Sequence, residues 1–187
     1  MSGAGHIDPS NRKVALLIAV LAAFLALSET LGKSAQTEAM NRNIEASNLW
    51  AFFQAKTIRL TTLRTAAESL EVDAALATTP DARALIEKRV ASWRKTADRY
   101  ESEPDTREGR KELVARAKDA EKKRDRALAA YHHYEVASGA LQIAIVLASA
   151  TVITGAAFLM WGALGLGAAG IVFAMIGWLA PTAIHWF

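Results

Sequence analysis

Residues 136–187 read VASGALQIAIVLASATVITGAAFLMWGALGLGAAGIVFAMIGWLAPTAIHWF, and this stretch contains no Lys, Arg, Asp or Glu. The segment from Lys33 to Glu135, by contrast, holds 20 of the 22 basic and 17 of the 19 acidic residues of the 187-residue chain. A water-soluble protein cannot place 52 consecutive uncharged, mostly apolar residues on its surface. The sequence therefore excludes a simple soluble enzyme and predicts an integral membrane protein.

Three stretches are long enough to cross a bilayer as helices. After a short N-terminal tail, residues 1–13, an apolar run over 14–32 supplies about 19 residues. A secretory signal peptide is the competing interpretation of this run, which has a basic edge and small residues. The uncharged C-terminal block predicts two further spans, 136–161 and 163–180, followed by a short tail at 181–187. The turn between these two spans is predicted in the Gly-rich stretch at 162–167, and Trp161, Trp178 and Trp186 are expected at headgroup level.

The region between the first two spans, residues 33–135, has the composition of long helices. Thr79-Pro80-Asp81 has the features of a helix start, and Ser102-Glu103-Pro104-Asp105 has the spacing of a capping box. These signals predict helices near 34–78, 80–101 and 103–135. The first is expected to continue out of the first span and the last into the second.

Apolar residues in each of these helices recur with alternating spacings of four and three, which favours long packed helices. The fold class predicted is therefore an all-α membrane protein with three transmembrane helices and a long antiparallel, coiled-coil-like helical hairpin. The positions are Leu49, Phe53, Lys56, Leu60, Leu63, Ala67, Leu70 and Ala74, then Ile86, Val90, Trp93, Ala97 and Tyr100, and finally Leu113, Ala117, Ala120, Arg124, Ala127, Tyr131 and Tyr134.

Basic residues near the membrane predict the orientation. Lys33 and Arg42 follow the first span and five basic residues between 118 and 126 precede the second, whereas the opposite side has only Arg12 and Lys13. The positive-inside rule places the hairpin and the C-terminus in the cytoplasm and the N-terminus outside.

A cluster of aromatic and polar residues in the first long helix is the strongest candidate site. It consists of Asn48, Trp50, Phe52, Phe53, Gln54 and Lys56. Packing inside the hairpin and between protomers, with Asn48 and Lys56 fixing the register, is one interpretation; a ligand or partner site is the other. Lys56 falls on the apolar seam, where an unpaired ammonium is costly, so a carboxylate or a wet channel is expected beside it.

The run NIEASNLWAFFQAKTIR at 43–59, together with AQTE at 35–38, resembles a bacterial family of small membrane proteins known as domain of unknown function four-three-three-seven. The order of one N-terminal span, charged helices and two C-terminal spans resembles that family over nearly the whole chain. The resemblance implies a bacterial inner-membrane protein and no assigned activity.

Other motifs have simpler interpretations. Glu29 and Lys33 are four residues apart and predict an ion pair at the membrane edge. Gly165 to Gly170 matches G-x-G-x-x-G but lacks the strand and acidic residue of a dinucleotide site, so it predicts close helix packing. His132 and Glu135 share a helix face at the interface, without the second Glu-x-x-His of a di-iron bundle. No catalytic, cofactor or metal residues are predicted, and the mixed charges do not favour nucleic acid as a partner.

The function expected is that of a non-enzymatic, self-associating scaffold or assembly stalk. Its partners are the lipid bilayer, further copies of the chain and a possible protein at the hairpin. A second apolar row on the first helix, Ile44, Ala51, Ala55 and Ile58, motivates the homo-oligomer. An oligomeric channel or transporter subunit, and an accessory subunit of a larger membrane complex, are the alternatives.

Overall fold

The computed structural model describes the backbone of residues 9–183 and the side chains of residues 12–183. All regular structure in these residues is helical, in the order α1 (Pro9–Leu76), α2 (Pro80–Glu101), α3 (Arg110–Thr154) and α4 (Ala157–Leu179). By length and composition, α1, α3 and α4 are each able to cross a membrane. The prediction of an all-helical chain with three helices of this kind is confirmed. Residues 1–8 and 184–187 of the two predicted tails, with Trp186 among them, lie outside the described part, whereas residues 9–13 belong to α1.

The chain divides into two compact units. We call residues 1–40 with 123–187 the apolar unit, and residues 41–122 the charged unit. Because α1 and α3 are long, each contributes one part to each unit.

In the charged unit, α2 and the beginning of α3 run antiparallel to α1. The Arg83 guanidinium of α2 donates to the Ala74 carbonyl of α1 over 3.2 Å. Further along, the Trp50 indole N–H of α1 donates to the Glu121 carboxylate of α3 over 2.9 Å. In one direction along the charged unit, residue numbers therefore decrease in α1 and increase in α2 and the beginning of α3. The core below these contacts contains Ala46, Leu49, Leu113, Ala117 and Ala120.

The residues that the sequence placed on the four-three seams are buried or half-buried in the structure, in all three helices. Every one of the eight seam positions of α1 between Leu49 and Ala74 is covered in this way. Apolar and small side chains at this spacing form one continuous stripe on a helix, and burying that stripe stabilises the antiparallel arrangement.

The start of α3 corrects a prediction. The third helix was expected to begin at 103, but it begins at Arg110, after a loop over 102–109. Ser102 does not cap a helix that follows it. It is the C-cap residue of α2, and its backbone N–H donates to the Asp98 carbonyl over 3.0 Å. The predicted bounds of α2, 80–101, are confirmed.

The turn between α3 and α4 corrects a second prediction. It lies at Gly155 and Ala156, and not in the Gly-rich stretch 162–167, which is inside α4. Gly155 has φ +68°, a conformation that favours glycine, and its N–H donates to the Thr151 carbonyl over 2.9 Å. The spans predicted at 136–161 and 163–180 are therefore divided at the wrong residue.

The glycines of α4 allow helices to approach closely in the apolar unit. A Cβ added at Gly170 would lie 2.8 Å from Leu141 Cγ of α3, and one at Gly167 would lie 2.6 Å from Leu21 Cδ2 of α1. Gly165, in contrast, faces open space. Two of the three glycines of the G-x-G-x-x-G match thus serve helix packing, in agreement with the prediction.

Candidate functional site

The most unusual group in the charged unit is the ammonium of Lys56, whose residue is 6% exposed. Its Nζ lies 5.4 Å from the centre of the Phe52 ring and 4.9 Å from the centre of the Tyr100 ring. The Glu103 carboxylate Oε2 is 4.0 Å away. Two aromatic faces and a carboxylate compensate the charge that burial removes from water. The sequence predicted a carboxylate or a wet channel beside Lys56, and the structure places a carboxylate there.

The Glu103 carboxylate also pairs with a second cationic side chain. Arg99, four residues earlier, donates to Glu103 Oε1 from Nε over 3.0 Å and from Nη2 over 2.7 Å. The hydrogen bond from Arg99 is the largest cause that lowers the pKa of Glu103, followed by one from Thr106. Desolvation opposes this shift, and the charge of Lys56 adds a small lowering. Glu103 therefore stays ionised between its two cationic neighbours.

Glu112 closes the 102–109 loop. It accepts a hydrogen bond from the Ser102 hydroxyl over 2.7 Å and one from the Glu103 backbone N–H over 3.1 Å. These two bonds, in that order, lower the pKa of Glu112. The loop also needs Gly109, because a Cβ there would lie 2.2 Å from Glu112 Oε2 and 2.4 Å from the Glu103 backbone nitrogen.

Arg110, the first residue of α3, fastens the end of the loop to α1. Its Nε donates to the Thr57 hydroxyl over 2.9 Å, and its Nη1 pairs with the Glu101 carboxylate over 2.7 Å. Its guanidinium also lies 5.0 Å from the centre of the Phe53 ring. Lys56 contacts Glu103, and the next residue of α1, Thr57, contacts Arg110, so both contacts hold the same part of α1 to the segment that joins α2 to α3.

The aromatic residues of the predicted cluster pack within the charged unit. Trp50 and Phe53 meet edge to face with ring centres 5.6 Å apart, and both contact the core together with Phe52. Asn48 and Gln54 are exposed. The structure therefore brings together Trp50, Phe52, Phe53 and Lys56, and it separates them from the two amides.

Sequence reasoning missed the residues that complete this cluster, which are Tyr100, Glu103, Arg110 and Glu112. One signal was available for Glu112. It stands three residues after Gly109, at the position where an acidic residue commonly caps a helix start, and the Gly109 carbonyl accepts from the Leu113 N–H over 2.9 Å. The identity of the partner of Lys56 had no local signal, because Glu103 is 47 residues away in the chain.

Polar side chains of the apolar unit form separate pairs. Glu29 accepts a hydrogen bond from the Gln142 amide over 3.2 Å, and the expected pair with Lys33 is not among the ion pairs of the described residues. His132 Nδ1 lies 3.5 Å from the Glu135 carboxylate, as their shared face predicts. Within residues 12–183 no group of three or more His, Asp or Glu side chains is placed to hold a metal ion.

The carboxylates of the loop give the stability of the protein a pH dependence. Glu112 has a lower pKa folded than unfolded, so its contribution is present above about pH 4.5 and is lost as the pH falls through the folded value. We expect the melting temperature to fall on acidification and Glu112→Gln to make that fall shallower. Thermal melts of the purified chain between about pH 6 and pH 3 measure this. Glu108→Gln, an exposed change in the same loop, should leave the slope unchanged; equal slopes for all three proteins would contradict the role of Glu112.

Comparison with known proteins gives a family. No curated protein and no solved structure matches the chain. The model of the family described as Domain of unknown function (DUF4337) matches residues 10–180. This match covers all four helices except the first residue of α1. The chain therefore belongs to the DUF4337 family, as the run at residues 43–59 predicted.

Proposed function

We propose that the protein is a non-enzymatic integral membrane protein that associates with copies of itself, and that its charged unit acts as a scaffold or assembly stalk. The observation that carries this proposal is the exposure of the second apolar row of α1. Ile44 is 53% and Ile58 is 68% exposed, and Ala51 and Ala55 between them are exposed as well. The seam of α1 that faces α2 and α3 is covered, so this row has no neighbour within the charged unit.

An exposed apolar row on a helix of the charged unit favours association, because association removes the row from water. The other side of α1 already buries its apolar stripe, and each further methylene removed from water contributes about 0.8 kcal/mol. Apolar residues repeated along one face are the usual means by which a second helix binds.

The membrane supplies the setting for this association. We place α1, α3 and α4 across a bacterial inner membrane, with the charged unit and the C-terminus in the cytoplasm. The support is the apolar length of the three helices and the excess of basic residues near the ends that join the charged unit.

The orientation is testable because the chain has no cysteine of its own. Glu108→Cys adds a single thiol at an exposed position of the 102–109 loop. We expect a membrane-impermeant maleimide to label this thiol only after the cells are opened. Labelling in intact spheroplasts, with a cytoplasmic marker protein unlabelled, would place the charged unit outside and reverse the topology.

The mass of the full chain in detergent tests self-association. We expect light scattering, with detergent mass subtracted, to give a multiple of 20.1 kDa at concentrations above micromolar. Ile44→Glu with Ile58→Glu should shift the mass toward the monomer, because each places a carboxylate in an apolar contact. Leu85→Glu, at an apolar position of α2 that is 72% exposed, is the matched control and should not change the mass. A monomeric wild-type protein would refute the proposal and leave the row to a different partner.

A further inference from the structure

We infer that the association surface is a second helical seam along the whole of α1 in the charged unit, and that copies of the chain meet there in parallel and in register. This inference rests on the proposed self-association and specifies its geometry. The seam is defined by Asn41, Ile44, Asn48, Ala51, Ala55, Ile58, Thr62, Thr65, Ser69, Val72 and Leu76. We call it the outer seam.

The outer seam has the spacing of a helix interface. Its eleven positions alternate between steps of three and four residues from Asn41 to Leu76, and all eleven are exposed. At 1.5 Å per residue the seam is about 52 Å long. Residues spaced in this way stay on one face of a gently supercoiled helix, which is the condition for continuous packing against a parallel neighbour.

The outer seam lies on the opposite side of α1 from the seam that binds α2 and α3. Each covered position, such as Leu49, Lys56 or Leu63, has an outer-seam residue two positions after it, as Ala51, Ile58 and Thr65 illustrate. Two residues correspond to a rotation of about 200° around the helix. A helix with stripes on opposite sides is built to contact neighbours on both.

Charge is excluded from the outer seam. Residues 41–76 include eight charged side chains, and none of them stands on the eleven outer-seam positions. The seam instead carries apolar residues, alanines, hydroxyls and two amides. A surface that only faced water would have no reason to concentrate all eight charges elsewhere, whereas a packed interface depletes charge at its core.

A second copy of the chain is the occupant that these features fit. An uncharged surface can face its own copy without like-charge repulsion. The alanines at 51 and 55 allow two backbones to approach closely. The amide of Asn48 carries both donors and acceptors, so it can bond to the same amide of a second copy, and a single such Asn in a seam fixes register and copy number.

The direction of packing follows from the continuity of α1. The outer seam belongs to the same helix as the first candidate span, since α1 is unbroken from Pro9 to Leu76. Copies inserted in one membrane with one orientation have their α1 helices parallel. A parallel pair related by a twofold axis along the helices brings each residue of the seam to its own equivalent.

Single cysteines test this geometry. The full chain contains no other cysteine that could form a disulfide. Ile44→Cys, Ile58→Cys and Val72→Cys each place a thiol on the outer seam. We expect oxidation in native membranes to give a disulfide-linked dimer for each of them. Arg64→Cys, exposed on α1 but away from the seam, is the control and should remain largely monomeric on a denaturing gel.

Register is tested by mixing. With Ile44→Cys and Ile58→Cys carried by differently tagged copies in one cell, the two positions are about 21 Å apart along the helix. We expect disulfides between two Ile44→Cys copies and between two Ile58→Cys copies, and none between an Ile44→Cys copy and an Ile58→Cys copy. Asn48→Leu should broaden the distribution of masses in light scattering, because the residue that fixes register is removed.

The outcomes separate the two proposals. An oligomer in light scattering whose seam cysteines do not link, or link no better than Arg64→Cys, overturns the inference and leaves self-association standing. Mixed dimers as abundant as homotypic ones overturn the parallel in-register arrangement. A linked product with the mass of a different protein overturns the choice of a second copy, and a monomer by light scattering overturns both proposals.

Discussion

Gly109→Ala is expected to destabilise the charged unit by about 3 kcal/mol, the upper end of the usual cost of overpacking. A Cβ at this position would lie 2.4 Å from the Glu103 backbone nitrogen and 2.6 Å from Ser102 Cα. Both atoms belong to the main chain, so they can move only if the 102–109 loop moves. Such a displacement would also separate Glu112 from the two donors that hold the loop closed.

Hydrogen exchange of the full chain in detergent, combined with thermal melts, measures this effect. Exchange should accelerate in the 102–109 loop and in the turns of α1 that it contacts around Lys56. Gly139→Ala is the matched control, because a Cβ at Gly139 meets no atom within 4 Å. In the interior of α3 that change should be neutral or stabilise by up to about 1 kcal/mol. A Gly109→Ala protein with wild-type exchange and melting would show that the loop is not closely packed.

The helix bounds that sequence predicted correctly depend on local interactions. The start of α2 is an example, because the Thr79 hydroxyl accepts from the Ala82 N–H over 3.3 Å and Pro80 occupies the first turn. Both residues act within four positions of the helix start, so their spacing in the sequence carries the information. The seams of α1, α2 and α3 are of the same kind, since a periodic pattern is visible without knowledge of the partner.

The start of α3 was missed because a distant residue decides it. Ser102 and Asp105 have the spacing of a helix start, but the Ser102 hydroxyl donates to Glu112, ten residues further on. Similarly, the stretch 162–167 has more glycines than the true turn, yet these glycines lie inside α4, where Gly162 and Gly167 approach leucines of neighbouring helices. Only the φ of Gly155 distinguishes the turn, and an apolar sequence contains no local sign of that difference.

The sequence predicted which kind of group lies beside Lys56, but it did not identify the residues that form the candidate site. An ammonium on an apolar stripe needs a counter-charge or water beside it, because burying it without either costs free energy in any fold. The choice of Glu103 depends on where the loop between α2 and α3 lies. The separation of Asn48 from the aromatic rings was also hidden, because a cluster of six residues covers most of a helix circumference and the sequence does not show which side is buried.

Leu113→Ala is expected to cost about 4 kcal/mol, within the range for a leucine removed from a close-packed core. Leu113 is 0% exposed and lies in the cluster that contains Ala46, Ala117 and Ala120. Leu49 is the fourth buried neighbour, and the three alanines have side chains that cannot rotate into the cavity that the substitution leaves. The cost of a core substitution rises with the volume that remains empty, so Leu113 should be near the upper part of the range.

Leu85→Ala, at a position 72% exposed, removes the same atoms from water-facing surface and should change stability by less than about 0.5 kcal/mol. Denaturant unfolding of the full chain in detergent compares the two variants. Equal midpoints would mean that the contact of α3 with α1 contributes little to the stability of the charged unit, whereas a large loss for Leu113→Ala alone would identify this contact as its main support.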